Sequence, residues 1–112
     1  MADYAAPLAD MRFVINELIG FECVHALAGC EEVGADLSDA VLEEAGKLAA
    51  EVLSPLNRIG DTQGSQLVGD GVVRTPDGWR EAYQAFCDGG WNGLAMNPEF
   101  GGQGLPKLIA TA

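Results

Sequence analysis

Basic residues are scarce in this sequence. Of its 112 residues, 6 are Lys or Arg and 17 are Asp or Glu, which gives a formal net charge of −11. Surfaces that bind nucleic acids or anionic membranes need clustered Lys and Arg, so the composition argues against both kinds of partner. The same charge argues against a main binding surface for a polyphosphate ligand within this chain.

Long apolar runs are also missing. No stretch of the sequence approaches the ~20 apolar residues that are needed to cross a bilayer. The opening segment MADYAAPLADMR carries Asp3 and Asp10 and has no basic start followed by an apolar core. We therefore expect no membrane span, no secretory signal, no transit peptide and a cytoplasmic location.

Cysteine is also rare. The chain has three, Cys23, Cys30 and Cys87, which is an odd number. An odd count predicts free thiols and a reducing compartment. Cys23, His25 and Cys30 suggest a metal site, but their spacing is irregular and no second CxxC or HxxxH pair accompanies them. We expect no metal, with the cysteines acting as small buried hydrophobes and the histidine at the surface.

The residues that are abundant indicate one small globular domain. Hydrophobic residues make up 48% of the chain and charged residues 21%, which is typical of folded proteins rather than disordered ones. Two apolar rows at helical spacing predict a central helix over Asp36–Ser54, with Asp36 as its N-cap and Pro55 ending or kinking it. The rows are Val41, Ala45, Leu48, Val52 and Leu42, Ala49, Leu53, Leu56.

The sequence of the first third of the chain predicts two shorter helices. Residues 1–9 are expected to be irregular, and Asp10 to cap a helix that Gly20 ends. A second short helix is predicted over Phe21–Leu27.

The sequence after Pro55 predicts a loop, a hairpin and one more helix. Asn57–Gln66 is polar and contains two glycines, so we expect a loop there. Asp70-Gly71 suits a tight primed turn and predicts a very short hairpin over Leu67–Val73. Thr75 and Pro76 predict the N-cap and first residue of a helix ending at Asp88, before Gly89-Gly90.

Together these elements predict an all-α fold, an orthogonal or up-down helical bundle with at most a small β-hairpin. The central helix and the Pro76–Asp88 helix are expected to share one hydrophobic core. Its predicted members are Leu48, Val52, Trp79, Tyr83 and Phe86.

The glycine-rich tail over 91–106 predicts an ordered loop. Pro98 and Pro106 fix local φ, and the glycines allow positive φ or close backbone approach. The tail contains no Gly-Lys-Ser/Thr and no strand–GxGxxG–helix frame, so it does not indicate a nucleotide-binding loop.

Four segments, in the right order, resemble the N-terminal helical domain of flavin-dependent acyl-CoA dehydrogenases. PEFGGQGLP at Pro98–Pro106 resembles a loop of that domain, and GWNGL at Gly90–Leu94 resembles the segment leading into it. EVLSPLNR at Glu51–Arg58, followed by Asp61, is similar to the end of the family's central N-terminal helix. YAAPLADMRF at Tyr4–Phe13 is similar to the 3-methylmercaptopropionyl-CoA dehydrogenase-like subgroup.

The resemblance implies that residues 1–112 are such an N-terminal helical domain, truncated at its C-terminal end. Members of the family also have a β-domain that supplies most flavin contacts and a C-terminal helical domain that carries the glutamate base. The resemblance therefore implies FAD in a full-length parent, but no catalytic and no cofactor-binding residue in this chain. Glu99 belongs to the loop motif rather than to the catalytic position.

For the parent, the resemblance implies α,β-dehydrogenation of an acyl-CoA thioester, with acyl-CoA and electron-transfer flavoprotein as partners. A carboxylate removes the α-proton while hydride passes from the β-carbon to the flavin. The N-terminal helices wall the acyl end of the cavity and exclude water. Phe100 and Leu105 are the predicted apolar contacts to the acyl group, in a parent expected to be a homo-oligomer.

A second hypothesis is a non-catalytic helical module that docks on a partner protein. Both hypotheses predict that the chain by itself is inactive. The truncated-domain hypothesis also predicts that the chain self-associates through its uncovered apolar surface, at Leu42, Ala49, Leu53 and the tail after Gly104.

Overall fold

The computed structural model describes residues 4–112, so positions 1–3 of the predicted irregular start lie outside the described residues. Residues 4–7 are irregular, as expected. Helix α1 then spans Leu8–Phe13, continues as a π-helix over Val14–Gly20, and is followed by α2 at Phe21–His25. Gly20 ends the first helix with φ at +81°, a conformation that favours glycine. The predicted Asp10 cap is wrong, because Pro7 precedes the helix and no side chain caps it.

The central helix is confirmed as a continuous element. Helix α3 spans Ala35–Lys47 and continues as a π-helix over Leu48–Leu53, where the Ser54 N–H donates to the Ala49 carbonyl five residues back, at 2.8 Å. Its N-cap is Gly34 and not Asp36, which corrects the sequence prediction. Asp36 instead lies in the first turn, where its negative charge interacts favourably with the positive end of the helix dipole.

The predicted loop over Asn57–Gln66 is wrong in its larger part. Helix α4 spans Leu56–Gln63 and is preceded by Pro55, whose φ of −60° and ψ of −24° are already helical. The Thr62 hydroxyl donates to the Arg58 carbonyl at 2.8 Å within this helix. This helix is short and mostly polar, with Leu56 and Ile59 as its only large apolar residues, so its composition resembles that of a loop.

The predicted hairpin is confirmed. Strands β1 (Gln66–Leu67) and β2 (Val73–Arg74) pair antiparallel. The Val72 N–H closes the turn onto the Gly69 carbonyl at 2.9 Å. Asp70 and Gly71 both have positive φ, 50° and 76°, as a primed turn requires.

Helix α5 spans Trp79–Asp88, so the predicted start at Thr75-Pro76 is three residues too early. Gly78 is its N-cap, and a φ of +81° there is incompatible with a helix running through Pro76. The predicted end at the glycines is confirmed, since Gly90 has a φ of +72°. The tail adds 3-10 turns at Trp91–Gly93 and Pro98–Phe100, and helix α6 at Lys107–Thr111.

The buried core does not lie between the central helix and α5, which overturns the predicted core. Trp79 and Tyr83 are 44% and 68% exposed, and Leu48, Val52 and Phe86 are only partly buried. The core instead joins α1, α2, α3 and α6. Its buried members are Ile15, Phe21, Val33, Leu42 and Ile109.

The fold is thus all-α with one small hairpin, as predicted, but its overall shape is a thin slab. Its extents are 53 × 37 × 17 Å. Its radius of gyration is 17.2 Å, whereas a compact domain of this length has about 13 Å. A slab 17 Å thick holds little more than one layer of helices, which themselves measure about 10–12 Å across. Much of the apolar surface of these helices is therefore uncovered.

Candidate functional site

An open apolar cavity of about 320 Å³ lies along the central helix. Its floor is the apolar side of α3 and the following π-helix, and its walls come from the chain start, α5, the 3-10 turn and α6. The lining residues are Tyr4, Ala6, Leu8, Met11, Val41, Leu42, Ala45, Gly46, Leu48, Ala49, Leu53, Phe86, Trp91, Leu94, Ile109, Ala110 and Ala112.

A second apolar cavity of about 350 Å³ lies between the end of the central helix and α5. Leu53 and Phe86 line both cavities, so the two adjoin each other. We call the combined surface the apolar trough. The second cavity is lined by Leu53, Leu56, Asn57, Trp79, Ala82, Tyr83 and Phe86.

The sequence forms the trough because the central helix carries two apolar rows. Leu42 is buried in the core, but Leu48 and Ala49 are only partly buried and Leu53 is exposed. The π-helical turns lie in this part of the helix, and π-helical segments occur often at functional sites. Residues of the two rows thus lie partly in the core and partly on an open surface. Sequence periodicity does not show which of these two environments a given residue has.

The trough also contains the phenol of Tyr83. The Tyr83 phenol and the Cys87 thiol lie one helical turn apart on α5, and a hydrogen bond to Cys87 raises the pKa of Tyr83. A tyrosine phenol is uncharged at physiological pH, so the trough surface around Tyr83 carries no charge from it.

The glycine-rich tail forms a second ordered feature beside the trough. Its backbone folds back on itself through successive hydrogen bonds: Gln103 N–H to the Gly93 carbonyl at 2.9 Å, and Leu105 N–H to the Leu94 carbonyl at 2.8 Å. The Gly104 N–H donates to the Met96 carbonyl at 2.9 Å. The prediction of an ordered loop is thus correct, and the loop is held by its own backbone.

The conformation of the loop depends on particular glycines. A Cβ atom at Gly102 would overlap the Met96 carbonyl, and one at Gly90 would approach Gln103 Nε2 to 2.5 Å. Asn97 fixes the turn between them, because its side-chain oxygen accepts the Glu99 N–H at 2.9 Å. The motif that carries the family resemblance therefore has a structural reason for its glycines.

The two predicted acyl-contact residues are placed differently by this loop. Phe100 is 85% exposed on the 3-10 turn. Leu105 is half-buried and packs against the hydrophobic core. Phe100 therefore presents free apolar surface, whereas Leu105 supports the base of the loop.

The residues considered for metal binding do not gather. Across residues 4–112 no group of three His, Cys, Asp or Glu side chains is arranged to hold a metal ion. His25 Nδ1 lies 3.2 Å from the Val33 carbonyl, and Cys23 is exposed. Likewise, no helix within the described range has both the length and the apolarity to span a bilayer.

A reciprocal side-chain clamp joins α4 to the start of α5. Gln63 Oε1 accepts the Asp77 N–H at 2.8 Å, and Gln63 Nε2 donates to the Asp77 carboxylate at 2.9 Å. It holds Trp79 of α5 against Gly60 of α4, where an added Cβ would meet the indole ring at 2.7 Å. This pair could not be predicted from sequence patterns, because the partners are 14 positions apart.

Two known proteins are similar to this chain. The 3-methylmercaptopropionyl-CoA dehydrogenase of Ruegeria pomeroyi is 41% identical over 109 residues, which is 97% of this chain and 18% of that protein. The butyryl-CoA dehydrogenase of Syntrophomonas wolfei subsp. wolfei is 28% identical over 104 residues, 88% of this chain and 16% of that protein. The chain thus spans less than a fifth of either relative. No family model matches it.

Proposed function

We propose that this chain, which matches a segment of acyl-CoA dehydrogenases in sequence, is the N-terminal helical domain of an FAD-dependent acyl-CoA dehydrogenase. In that role it walls the acyl end of the active-site cavity. The observation that carries the proposal is the similarity to two dehydrogenases along nearly the whole chain. The resemblance of the Pro98–Pro106 loop supports it, since Gly102 lies against the Met96 carbonyl and Gly101 and Gly104 have positive φ.

The proposed parent removes the α-proton of an acyl-CoA thioester, and FAD accepts hydride from the β-carbon. This chain contributes apolar surface rather than a reacting group. Helices that cover the acyl chain exclude water, which strengthens electrostatic interactions at the thioester. We further propose that this parent is a cytoplasmic homo-oligomer and that it passes electrons to electron-transfer flavoprotein.

The glycine-rich tail does not fit a flavin phosphate site. Such a site needs free backbone N–H groups or basic side chains, whereas the N–H groups of residues 100–105 all donate to carbonyls within the tail. The net charge of −11 also disfavours a dinucleotide. We therefore propose that other parts of the parent hold FAD, and that this chain supplies neither the base nor a cofactor contact.

Binding by the isolated chain tests that division of roles. We expect flavin fluorescence to stay constant when FAD is titrated with the chain up to micromolar concentrations, and the chain not to reduce an electron acceptor in the presence of acyl-CoA. Saturable quenching would show that the chain has a flavin site of its own.

The acyl-wall role is tested in the full-length parent with Phe100→Ala. Removing the exposed ring should change the relative kcat/KM for short and long acyl-CoA substrates, because the wall then leaves extra volume. One missing group in an apolar pocket typically changes such a ratio by about 10–200-fold. Leu18→Ala, an exposed apolar residue outside the loop, is the control. If the chain-length profile is unchanged in Phe100→Ala, the placement of this loop at the acyl cavity is wrong.

The alternative, a non-catalytic interaction module, is favoured by one observation, the open apolar trough. It would replace the dehydrogenase proposal if the purified parent reduced no acceptor with any acyl-CoA while the trough still bound a partner.

A further inference from the structure

We propose that Asp70-Gly71, at the tip of the hairpin, is a site of spontaneous isomerisation, at which Asp70 is converted to isoaspartate. The sequence contains three Asp-Gly pairs, Asp70-Gly71, Asp77-Gly78 and Asp88-Gly89, and one Asn-Gly pair, Asn92-Gly93. Glycine has no side chain to shield its backbone nitrogen, so each pair can react when the fold does not hold it. The reaction is independent of the chemistry of the proposed parent.

The reaction closes a succinimide ring within the chain. The Gly71 amide nitrogen attacks the side-chain carboxyl carbon of Asp70, a C–N bond forms, and the amide proton and a hydroxyl leave as water. Water then opens the ring at either carbonyl. Opening at the side-chain carbonyl restores Asp70, and opening at the main-chain carbonyl gives isoaspartate, whose side chain has become part of the main chain. The reaction therefore needs a free amide nitrogen, an unbound carboxyl group and room for the backbone to rotate.

The hairpin tip meets all of these requirements. Within residues 4–112, neither the Gly71 N–H nor the Asp70 carboxylate has a hydrogen-bond partner, and both residues are exposed. No heavy atom lies within 4 Å of a Cβ added at Gly69 or Gly71, so the space around the turn is open. Asp70 itself has a φ of 50°, which L residues rarely adopt, so rotation away from this conformation is favourable.

The pair Asp77-Gly78 is restrained by the clamp between α4 and α5. Gln63 holds the Asp77 carboxylate at 2.9 Å and the Asp77 N–H at 2.8 Å. The carboxylate is therefore turned toward its own N–H and away from that of Gly78. Gly78 is also closely packed, because a Cβ added there would meet Leu56 Cδ2 at 2.8 Å. Ring closure at this pair requires the clamp to open.

The pair Asp88-Gly89 is restrained by the end of α5. Gln84 Nε2 donates to the Asp88 carboxylate at 2.7 Å. The Gly89 N–H donates to the Ala85 carbonyl at 3.1 Å, so the attacking nitrogen is engaged as well. Both reacting groups of this pair must therefore lose a hydrogen bond before the ring can close.

The Asn-Gly pair has the more reactive side chain, because ammonia leaves an amide more readily than water leaves an ionised carboxyl group. The fold restrains it nevertheless. Asn92 lies in the 3-10 turn Trp91–Gly93, where the Gly93 N–H donates to the Gly90 carbonyl at 3.1 Å. The Gly93 carbonyl in turn accepts the Gln103 N–H at 2.9 Å, which holds the turn against the tail.

Isomerisation at the hairpin tip has a structural consequence. Isoaspartate adds a methylene group to the main chain of the turn, and the length of a turn fixes the register of its strands. The strands pair Leu67 with Val73 and Gln66 with Arg74. We therefore expect the modified chain to lose this pairing.

Incubation of the folded chain in neutral buffer, followed by peptide mapping, tests the proposal. Isoaspartate has the mass of Asp, so it is identified by chromatographic separation and by resistance to a protease that cleaves before Asp. We expect isoaspartate to form at Asp70 at least about tenfold faster than at Asp77 or Asp88, the factor that corresponds to two hydrogen bonds of ordinary strength. In urea the three Asp-Gly pairs should react at similar rates, and Asn92 should react faster than any of them.

Matched variants test the restraint directly. Gln63→Ala removes the clamp and should raise the rate at Asp77 by about 2–12-fold, the factor for the one hydrogen bond on its carboxylate. The rate at Asp70 should stay unchanged in this variant. Circular dichroism verifies folding, and Gln84→Ala, at an exposed position of α5, gives the same test at Asp88 if Gln63→Ala unfolds.

Three outcomes would overturn the proposal. Equal rates at the three Asp-Gly pairs of the folded chain would show that the hairpin tip is not selectively free. A preference for Asp70 that persists in urea would show that the neighbouring sequence, rather than the fold, determines the rate. An unchanged rate at the released Asp in a folded clamp variant would show that these hydrogen bonds do not restrain the reaction.

Discussion

At the scale of single residues, Gly102 shows why the tail has its sequence. Its backbone lies so close to the Met96 carbonyl that any side chain would push apart the two backbone segments of the loop, at Met96 and at Gly102. Inserting atoms into a well-packed site typically costs about 1–3 kcal/mol.

We expect Gly102→Ala to lower the free energy of unfolding by that amount, about 1–3 kcal/mol in urea titration. Gly34 has a negative φ and no heavy atom within 4 Å of an added Cβ, so Gly34→Ala serves as the control and should cost less. Equal effects of the two substitutions would contradict the close-packed loop.

Ser38 is the second residue with a clear physical signature. It is 1% exposed, and its hydroxyl oxygen is buried without a hydrogen-bond partner among the described residues. An unsatisfied buried polar group costs about 1–3 kcal/mol. We therefore expect Ser38→Ala to raise the melting temperature, with exposed Ser65→Ala as the neutral control. A lower melting temperature for Ser38→Ala would indicate that the hydroxyl is satisfied in solution.

Residue patterns predicted local conformation where the chemistry is local. Asp70-Gly71 forms the expected primed turn, and Gly20 and Gly90 end helices with positive φ. The expected caps at Asp10 and Asp36 are wrong, because side-chain capping depends on where the first turn begins and both helices start earlier. The acyl-contact role of Phe100 and Leu105 stays a prediction, and Phe100 exposes much more of its side chain than the half-buried Leu105 does.

At the scale of elements, the central helix divides its apolar residues between the core and the trough. Leu42 is 3% exposed and belongs to the core, whereas Leu48 is only partly buried and lines the trough. The earlier expectation that Leu48 anchors the core is therefore replaced by a comparison of the two leucines.

We expect Leu42→Ala to cost about 2–5 kcal/mol, the range for buried leucines. Leu48→Ala should cost clearly less, because part of its side chain is already in contact with water. Urea unfolding of both variants measures the difference, and a larger loss for Leu48→Ala would restore the core predicted from the sequence.

Element boundaries were predictable only where a local signal and the fold agree. Helix α5 starts later than the Thr75-Pro76 pattern predicts, because Asp77 is held by Gln63, a partner 14 residues away. The sequence of α4 predicts a loop because it is short and polar. Helices of this kind are stabilised by packing, here that of Trp79 against Gly60. Long-range contacts of this kind cannot be read from propensity.

At the scale of the whole molecule, the slab combines uncovered apolar surface with a charge of −11. The apolar surface favours self-association and the charge opposes it. The expected contact surface now excludes Leu42, which is buried, and retains Ala49, Leu53 and the tail after Gly104.

We expect the isolated chain to self-associate weakly, and more strongly as salt rises from about 50 mM to about 0.5 M, because salt screens the repulsion between copies. Sedimentation velocity at the two salt concentrations measures this association. A monomer under both conditions at high protein concentration would contradict the expectation.

The sequence indicated the fold class correctly but not the location of the core. Two apolar rows and an aromatic helix predicted a core between α3 and α5, yet the buried residues lie between α1, α2, α3 and α6. Apolar periodicity shows that a face is covered by something, and does not identify the neighbour that covers it.

The hydrogen-bonded tail has a consequence for how protons exchange with solvent. Its amide groups from Phe100 to Leu105 are all engaged with backbone carbonyls, although most of this stretch is neither helix nor strand. Amide protons exchange only when such bonds open, so protection should follow bonding rather than secondary structure. In deuterated water, this irregular loop should therefore retain its amide protons much as the hydrogen-bonded hairpin does, although the hairpin contains the only paired strands among residues 4–112.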